Sequence, residues 1–278
     1  MAVSVVTDST AYLPPELAVE HGIAVVPLQV TMGERTALEG VDLTPAEFAA
    51  WIAGAGRRAT TSQPTPAAFL SVYGAAASDE IVSVHLSGAL SGTVGAADAA
   101  GRQSGRTVRV VDSRQTGMGL GFAALAAASA ARAGAPLADV ARAAEVAAAA
   151  TRTFFYVDTL EHLRRGGRIG AAAALVGTAL SVKPLLHIAD GSIAPLEKVR
   201  TSARAIARLE ELAVAEAGSS PVRVAVHHLA SAERAAALAE RLRARLGALQ
   251  DLVVSEVGAV VGAHVGPGML AVVVHRVP

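Results

Sequence analysis

The stretch IVSVHLSGALSGTV, residues 81–94, places a short apolar run directly before two Ser-Gly pairs. The apolar run predicts a buried strand over residues 81–85. Ser91-Gly92-Thr93 predicts the start of a helix, because hydroxyl and glycine residues suit the first turn, where backbone N–H groups lack partners. A strand that ends in a polar loop and leads into a helix is the building unit of an α/β protein.

The same alternation continues along the chain. We predict strands near residues 3–6, 24–30, 81–85, 108–111, 154–157, 185–188, 193–198, 222–226, 252–256 and 269–275. Ala-rich helices are expected in most of the gaps, notably at 119–132, 137–149, 204–217 and 232–246. Asp190-Gly191 predicts a hairpin, so a purely parallel sheet is not expected in the second half of the chain.

The composition of the 278 residues predicts two α/β domains, the first with a mostly parallel sheet. Hydrophobic residues make up 52% and aromatic residues 3%, so Ala, Val, Leu and Ile must fill the core and could line a slot for a slim apolar ligand. The boundary is expected near residue 150, giving domains 1–150 and 151–278. There a long Ala-rich helix ends, and formal charge changes from −4 (9 basic, 13 acidic residues) to +4 (15 basic, 11 acidic).

Several classes of protein are disfavoured by composition. The pI of about 7.1 and the scarcity of aromatic residues argue against nucleic-acid binding. Absence of cysteine excludes disulfides and thiolate metal sites, and the adjacent His227-His228 point to opposite sides of a strand, so no metal is expected. Mean hydropathy is +0.44, but the longest uncharged window, 115–131, is short for a membrane span. With no secretion signal at residues 1–10, a cytoplasmic location is expected.

Polar residues follow three of the predicted strands: Thr7-Asp8-Ser9, Ser87-Gly88 with Ser91-Gly92-Thr93, and Asp112-Ser113. Each group alone could cap a helix, whereas together they favour a ligand site at the carboxyl ends of the strands. Pro64 restricts Gln63 to an extended form, so residues 60–66 are expected to form a rigid loop with outward hydroxyls. His264, beside a Gly-Pro turn, could bind an anionic group or a backbone carbonyl.

Taken in order, these motifs resemble the DegV-like family, the fatty-acid-binding subunits of bacterial fatty-acid kinase. The resemblance spans nearly the whole chain. It rests on the segments TDS (7–9), TSQP (61–64), LSGT (90–93), VDS (111–113), LEHLRRGGRIG (160–170), KPLL (183–186), EKVRT (197–201) and HVGPG (264–268).

The resemblance implies a carrier rather than an enzyme, with a fatty acid as ligand and no cofactor. One long-chain fatty acid would lie in an apolar tunnel, its carboxylate bound near the domain interface by Thr61, Ser91 and His264. Arg168 and Arg200 would face a separate ATP-dependent kinase, which makes an acyl-phosphate for phospholipid synthesis; transient membrane contact is compatible with this role. The supporting residues of the site would be Asp8, Ser9, Ser62, Gly92, Thr93, Asp112 and Ser113.

A serine hydrolase is the main alternative. It would use Ser91 as nucleophile, His264 as base and Asp112 or Asp8 to orient the histidine. However, Gly88-Ala89-Leu90-Ser91-Gly92 does not match the G-x-S-x-G elbow of α/β hydrolases. A dinucleotide or P-loop enzyme is disfavoured because neither glycine-rich phosphate motif is present.

Overall fold

The computed structural model describes residues 3–54, 57–175 and 183–277. The chain divides into two compact units: unit 1 comprises residues 1–29 and 62–150, and unit 2 comprises residues 30–61 and 151–278. The sequence-based division at residue 150 had assigned residues 30–61 to the first domain. They group with unit 2 because their strands pair with one another and their helix packs against a helix of that unit.

The secondary structure alternates along most of the chain. The strands are β1 Val3–Asp8, β2 Ile23–Val26, β3 Gln29–Met32, β4 Arg35–Leu38, β5 Ala59–Ser62, β6 Glu80–His85, β7 Thr107–Asp112, β8 Thr151–Tyr156, β9 Lys183–Ala189, β10 Ser192–Val199, β11 Val222–His228, β12 Leu249–Glu256 and β13 Leu270–Arg276. The α-helices are α1 Pro15–Glu20, α2 Pro45–Ile52, α3 Pro66–Ala75, α4 Thr93–Gln103, α5 Met118–Arg132, α6 Leu137–Ala149, α7 Glu161–Arg165, α8 Ser202–Ala217, α9 Ala232–Arg245 and α10 Ala259–Val265. Short 3₁₀ turns occupy Ser9–Ala11 and Gly170–Leu175.

Unit 1 is built on a four-stranded sheet in the order β2-β1-β6-β7, and every pairing is parallel. The predicted parallel sheet is therefore confirmed. Helices α3 and α4 pack Phe69, Tyr73 and a row of alanines against it, as the scarcity of larger side chains requires. Since the strands are parallel, β1, β6 and β7 end at one edge of the sheet, with His85 opposite Asp112.

Unit 2 contains a mixed six-stranded sheet in the order β10-β9-β8-β13-β11-β12. Only the β11–β12 pairing is parallel. Strands β9 and β10 form the predicted hairpin, and Asp190 (φ 49°) and Gly191 (φ 80°) are both left-handed, as a tight turn between strands requires. Helices α8 and α9 pack Ala and Leu side chains against this sheet.

A three-stranded sheet, β4-β3-β5, corrects two sequence-based expectations. The single strand predicted at 24–30 is two strands, because Pro27 has no N–H and the N–H of Leu28 donates to the Ser9 hydroxyl (3.1 Å) instead of continuing a ladder. Residues 59–62, which were expected to be mostly loop, form β5. The sequence does not predict this strand, because three of its four residues carry hydroxyls and only alternate residues are partly buried.

Helices α5 and α6 form an Ala-rich pair in unit 1, and the bounds of α6 agree with the prediction. Most of α5 is buried, which accounts for the high hydropathy of this region. In the part of the chain that the structure describes, no helix combines the length and apolarity needed to cross a bilayer.

Candidate functional site

The loop after β6 is organised by Ser87. Its carbonyl accepts the N–H groups of Leu90 (2.9 Å) and Ser91 (3.1 Å), and its hydroxyl accepts the N–H of Ala89 (3.2 Å). The N–H of Ser87 donates to the carbonyl of Gln115 (2.9 Å), which fixes the loop to the next strand end. The first Ser-Gly pair therefore builds a turn, and this turn carries Ser91.

Asp8 fixes the base of the same loop. One carboxylate oxygen accepts the N–H (3.1 Å) and hydroxyl (2.6 Å) of Thr10. The other accepts the N–H of Leu86 and Nδ1–H of His85, both at 3.0 Å. The bonds to Thr10 cap the 3₁₀ turn after β1, and those to His85 and Leu86 join the ends of β1 and β6, so Asp8 stabilises the loop that precedes Ser91.

A buried chain of hydrogen bonds continues from Asp8 into unit 1. Nδ1 of His85 donates to the carboxylate, its Nε2 lies 2.6 Å from the Ser83 hydroxyl, and that hydroxyl accepts from the Tyr73 hydroxyl (2.9 Å). Burial raises the pKa of Tyr73 to about 12, so it remains a donor. Asp8, His85 and Ser83 have the connectivity of a catalytic triad, but all are fully buried, which makes them internal support.

Asp112 and Ser113, at the end of β7, also hold the loop. Both carboxylate oxygens of Asp112 accept the N–H of Gly88 (3.2 Å), and one accepts the N–H of Arg114 (2.8 Å). The Ser113 hydroxyl donates to the carbonyl of His85 (2.7 Å). These two residues thus fix the turn from the side opposite to Asp8.

The second Ser-Gly pair opens α4, as predicted. Gly92 is the residue before the helix and offers no side-chain cap, while the hydroxyls of Ser91 and Thr93 lie 2.9 Å apart. A β-carbon at Gly92 would lie 2.8 Å from Cδ of Gln63, so any side chain at this position requires the exposed Gln63 side chain to move. Ser91 is half-buried, at the start of a helix whose first N–H groups receive no side-chain cap.

In unit 2, Thr61 and His264 form a hydrogen bond across 203 sequence positions. Thr61 Oγ1, on β5, lies 2.9 Å from His264 Nε2, in the last turn of α10. Burial, with the Arg168 charge as a second cause, lowers the pKa of His264 to about 4, so the ring is neutral near pH 7. Nδ1 is buried and has no hydrogen-bond partner in the described part of the chain.

Two glycines make room for two histidine rings where α7 meets α10. A β-carbon at Gly166 would overlap Nδ1 of His264 and lie 2.7 Å from its Cε1. A β-carbon at Gly266 would lie 2.7 Å from Nε2 of His162. Burial lowers the pKa of His162 as well. This reciprocal packing explains why the Gly-Gly-Arg turn begins with glycine even though φ at Gly166 is an ordinary −74°.

The two arginines that the resemblance assigns to a partner-facing surface both lie in unit 2. Arg168 follows the Gly166-Gly167 turn, and its guanidinium donates to the carbonyl of Gly166 (2.7 Å). Arg200 is exposed just after β10. The tight turn at Gly167 (φ 69°) thus presents Arg168 in a fixed place beside His264.

Arg200 lies in a basic groove of about 560 Å³ between β10 and the start of α8. Four cationic side chains line it: Lys198, Arg200, Arg204 and Arg208. Arg208 is paired with Glu197 (2.7 Å), whereas the other three form no ion pair with a carboxylate among the described residues. The groove therefore presents a net positive surface.

The structure divides the predicted site residues between the two units. Thr61, His264, Arg168 and Arg200 belong to unit 2; Asp8, Ser9, Ser62, Ser91, Gly92, Thr93, Asp112 and Ser113 belong to unit 1. Sequence reasoning missed His85, which was predicted only as the last residue of a buried strand, and Glu39, whose partner Val260 is 221 positions away. Among residues 3–54, 57–175 and 183–277, no three His, Asp or Glu side chains gather as metal ligands would.

Comparison with known proteins assigns the chain to a family. The model of a family described as an uncharacterised protein, DegV family, matches residues 2–277. The chain belongs to the DegV family. A DegV domain-containing protein of Streptomyces coelicolor is 55% identical over 275 residues, covering 98% of both chains. Protein DegV of Bacillus subtilis is 38% identical over 277 residues, again covering 98% of both.

Solved structures show the same fold. A DegV family protein from Thermus thermophilus, described for its fatty-acid binding, superposes with a TM-score of 0.93 at 33% identity. DegV of Bacillus subtilis, described as a fatty-acid-binding protein, superposes with a TM-score of 0.91 at 36% identity. Both matches cover 100% of each chain.

Proposed function

We propose that the protein binds one long-chain fatty acid in an apolar tunnel and presents its carboxylate to a separate ATP-dependent fatty-acid kinase. The observation that carries the proposal is the hydrogen bond between Thr61 and His264 (2.9 Å). It supports a neutral, partly buried donor group in a chain whose full-length structural relatives include fatty-acid-binding proteins. Ser91 is proposed as a further donor to the same carboxylate.

The chemistry of His264 supports Thr61 as the donor to the ligand. If Nδ1 carried the proton, a buried N–H would point at Gly166 without an acceptor, so we assign the proton to Nε2. Nε2–H then donates to Oγ1 of Thr61, and the Thr61 hydroxyl proton is available to a carboxylate oxygen. A neutral donor holds the carboxylate without the tight ion pair that would compete with phosphoryl transfer.

The fatty-acid tail would supply most of the affinity. Each buried CH₂ contributes about 0.8 kcal/mol, so a sixteen-carbon tail gives a gross term of about 11 kcal/mol before ordering costs. Donors at the head group mainly prevent a buried carboxylate from losing its hydrogen bonds. The abundance of Ala and Val in this chain suits the walls of such a tunnel.

The geometry favours binding over hydrolysis. A catalytic base needs a pKa near the working pH, whereas that of His264 is lowered to about 4. Its Nε2 meets Thr61, and its Nδ1 meets no carboxylate among the described residues. Asp8 instead orients His85. A fluorophosphonate probe that labels Ser91 would favour the hydrolase, and absence of labelling together with retained lipid would favour the carrier.

Presentation to a kinase completes the proposed function. On the kinase, a carboxylate oxygen of the bound fatty acid would attack the γ-phosphorus of ATP, breaking its bond to the β-phosphate oxygen and releasing ADP and acyl-phosphate. Arg168, next to the His264 site, and Arg200, in the basic groove, are proposed to face the kinase. The positions and charges of these two arginines support this assignment.

The first experiment identifies the ligand. The purified protein is denatured and extracted, and the extract is analysed by mass spectrometry. One equivalent of a long-chain fatty acid is expected, whereas a protein that carries none and binds none in titrations contradicts the proposal. A Thr61→Val variant should lose at least about tenfold in fatty-acid affinity, since a buried carboxylate oxygen loses its donor. Thr36→Val is the matched control, because Thr36 is exposed on the same three-stranded sheet and its hydroxyl bonds the Thr31 hydroxyl (3.0 Å).

A further inference from the structure

Helix α10, which carries His264, is short, and no side chain of the preceding residue caps its N-terminus. It has seven residues, and Gly258 precedes it without a side-chain cap. The N–H of Val260, in the first turn, donates instead to Oε1 of Glu39 (2.8 Å), a residue 221 positions away. Glu39 is only 4% exposed. A buried carboxylate at this end satisfies a free N–H and suits the positive end of the helix dipole.

Glu39 is held by a rigid loop between β4 and α2. The carboxylate of Asp42 accepts the N–H of Leu38 (2.9 Å), and the carbonyl of Asp42 accepts from the Arg35 guanidinium (2.8 Å). Gly40 adopts φ 75°, which allows the chain to turn directly after Glu39. The carboxylate therefore comes from a fixed backbone.

Three residues of the segment 30–61 contact α10 at alternate positions, and we call this segment the α10 platform. The pairs are Glu39 with Val260, Phe48 with Gly262, and Thr61 with His264. Phe48 is fully buried, and a β-carbon at Gly262 would lie 2.7 Å from its Cε1. The platform thus supplies both the hydrogen-bond partner of His264 and the contacts that fix the position of α10 along its axis.

We propose that Glu39 is a positioning residue of the carboxylate-binding site: by holding the first turn of α10, it keeps Nε2 of His264 within hydrogen-bond distance of Thr61. The inference rests on the proposed function, since the site it serves is the fatty-acid carboxylate site. Hydrogen bonds weaken steeply with distance and angle. A displacement of α10 along its axis by a fraction of its 1.5 Å rise per residue would be enough to weaken the Thr61–His264 bond.

The test compares two ligands with the same tail. Affinities of the full chain for hexadecanoic acid and hexadecanol are measured for wild type, Glu39→Ala and Glu39→Gln. Glu39→Ala should lose about tenfold for the acid and less than about twofold for the alcohol, because only the carboxylate depends on the aligned donor. Glu39→Gln keeps an acceptor oxygen and should restore most of the affinity for the acid.

Glu47→Ala is the matched control. Glu47 lies in the same platform, is exposed, and closes the capping box of α2 through its hydrogen bonds with Thr44. It should lower stability without changing the ratio of acid to alcohol affinity. Equal losses for both ligands in Glu39→Ala, or no loss, would overturn the inference.

A readout without ligand separates this inference from the proposed function. In the ligand-free protein, the ¹⁵N shifts of the His264 ring report its tautomer and its bond to Thr61. Glu39→Ala should move these shifts toward those of Thr61→Val, while Glu39→Gln and Glu47→Ala should leave them near wild type. Unchanged shifts in Glu39→Ala would overturn the positioning role. A wild-type protein that binds no fatty acid would overturn the proposed function, whatever the shifts show.

Discussion

The ring of His264 rests on the backbone of Gly166, and no space for a side chain remains between them. A β-carbon at 166 would lie 2.7 Å from Cε1 of the histidine and overlap its Nδ1. Since Nε2 of the same ring bonds Thr61, this backbone contact sets one side of the site and the hydroxyl sets the other.

Gly166→Ala should therefore push His264 away from Thr61. We expect a loss of about 1–3 kcal/mol in the free energy of unfolding from overpacking, and a larger loss of affinity for a fatty acid than for the matching alcohol. Denaturant titration and calorimetric binding measure the two effects.

Gly167→Ala is the control for this variant. Gly167 has a left-handed φ of 69°, but its β-carbon would meet nothing within 4 Å. It should cost about 1 kcal/mol of backbone strain while leaving the acid-to-alcohol ratio unchanged. If both variants change that ratio alike, the contact with His264 is not the cause.

Acid should destabilise the protein through two buried histidines. Burial lowers the pKa values of His264 and His227 to about 4, whereas unfolded histidine titrates near 6.5. The unfolded chain then binds more protons, so the free energy of unfolding falls as pH decreases from about 6.5 to about 4 and levels off below. Each group contributes a slope of up to ~1.4 kcal/mol per pH unit in that window.

His264→Gln and His227→Gln should each make this slope shallower, because each removes up to about one proton from the difference in bound protons between the unfolded and folded chains. Denaturant titrations between pH 4 and 7 measure it. Of the two variants, only His264→Gln should also weaken fatty-acid binding. A wild-type slope in His264→Gln would show that folding does not lower the pKa of this ring.

Asp8→Asn should lower the free energy of unfolding, because Asp8 is buried and its hydrogen bonds hold the loop after β6 in place. The amide offers only one acceptor oxygen to the four donors that Asp8 now accepts, including His85 Nδ1–H. Breaking such a buried arrangement costs about 3–5 kcal/mol. Asp139→Asn, at the exposed first turn of α6, should cost less than about 1 kcal/mol in the same denaturation experiment.

Ser91→Ala should reduce fatty-acid occupancy or phosphorylation without unfolding the chain. The removed hydroxyl is half-buried and bonds only Thr93 among the hydrogen bonds of the described residues, so little stability is lost. Ser104→Ala, at the other end of α4, should leave occupancy at the wild-type level. Normal turnover of Ser91→Ala would remove this residue from the site.

Arg168→Ala and Arg200→Ala should leave the lipid bound and weaken coupling to the kinase. At limiting protein, acyl-phosphate formation is expected to fall while co-purified lipid stays constant. Arg142→Ala, an exposed arginine on α6, should change neither quantity. Unchanged acyl-phosphate formation in both variants would remove these arginines from the kinase-facing surface.

The features of the fold that sequence predicted are those with local causes. Apolar runs gave ten strand predictions, nine of which overlap one observed strand each, and Asp190-Gly191 gave the hairpin. The tenth, at 24–30, was wrong because Pro27 interrupts it. Strand β5 was missed because its side chains, Ala-Thr-Thr-Ser, carry almost no hydrophobic signal.

The candidate site was predictable in its residue types and not in its contacts. Thr61 and His264 were named from the family resemblance, but nothing local indicates that residues 203 positions apart share a hydrogen bond. Glu39 left no signal, since a glutamate in a turn is ordinarily solvated and its helix partner is distant. Asp8 was predicted as a supporting residue of the site, and its bond to the N–H of Leu86, which anchors the loop before Ser91, could not be predicted from the sequence.

The central position of β13 in its sheet means that the sheet cannot be completed until this strand has been synthesised. It lies between β8 and β11, in the middle of the six-stranded sheet, yet it leaves the ribosome after every other strand of that sheet. Until residues 270–276 emerge, β8 and β11 have no common neighbour, and both present open edges of the kind that promotes aggregation. A nascent chain that stalls before β13 therefore lacks the centre of its sheet and not merely its border.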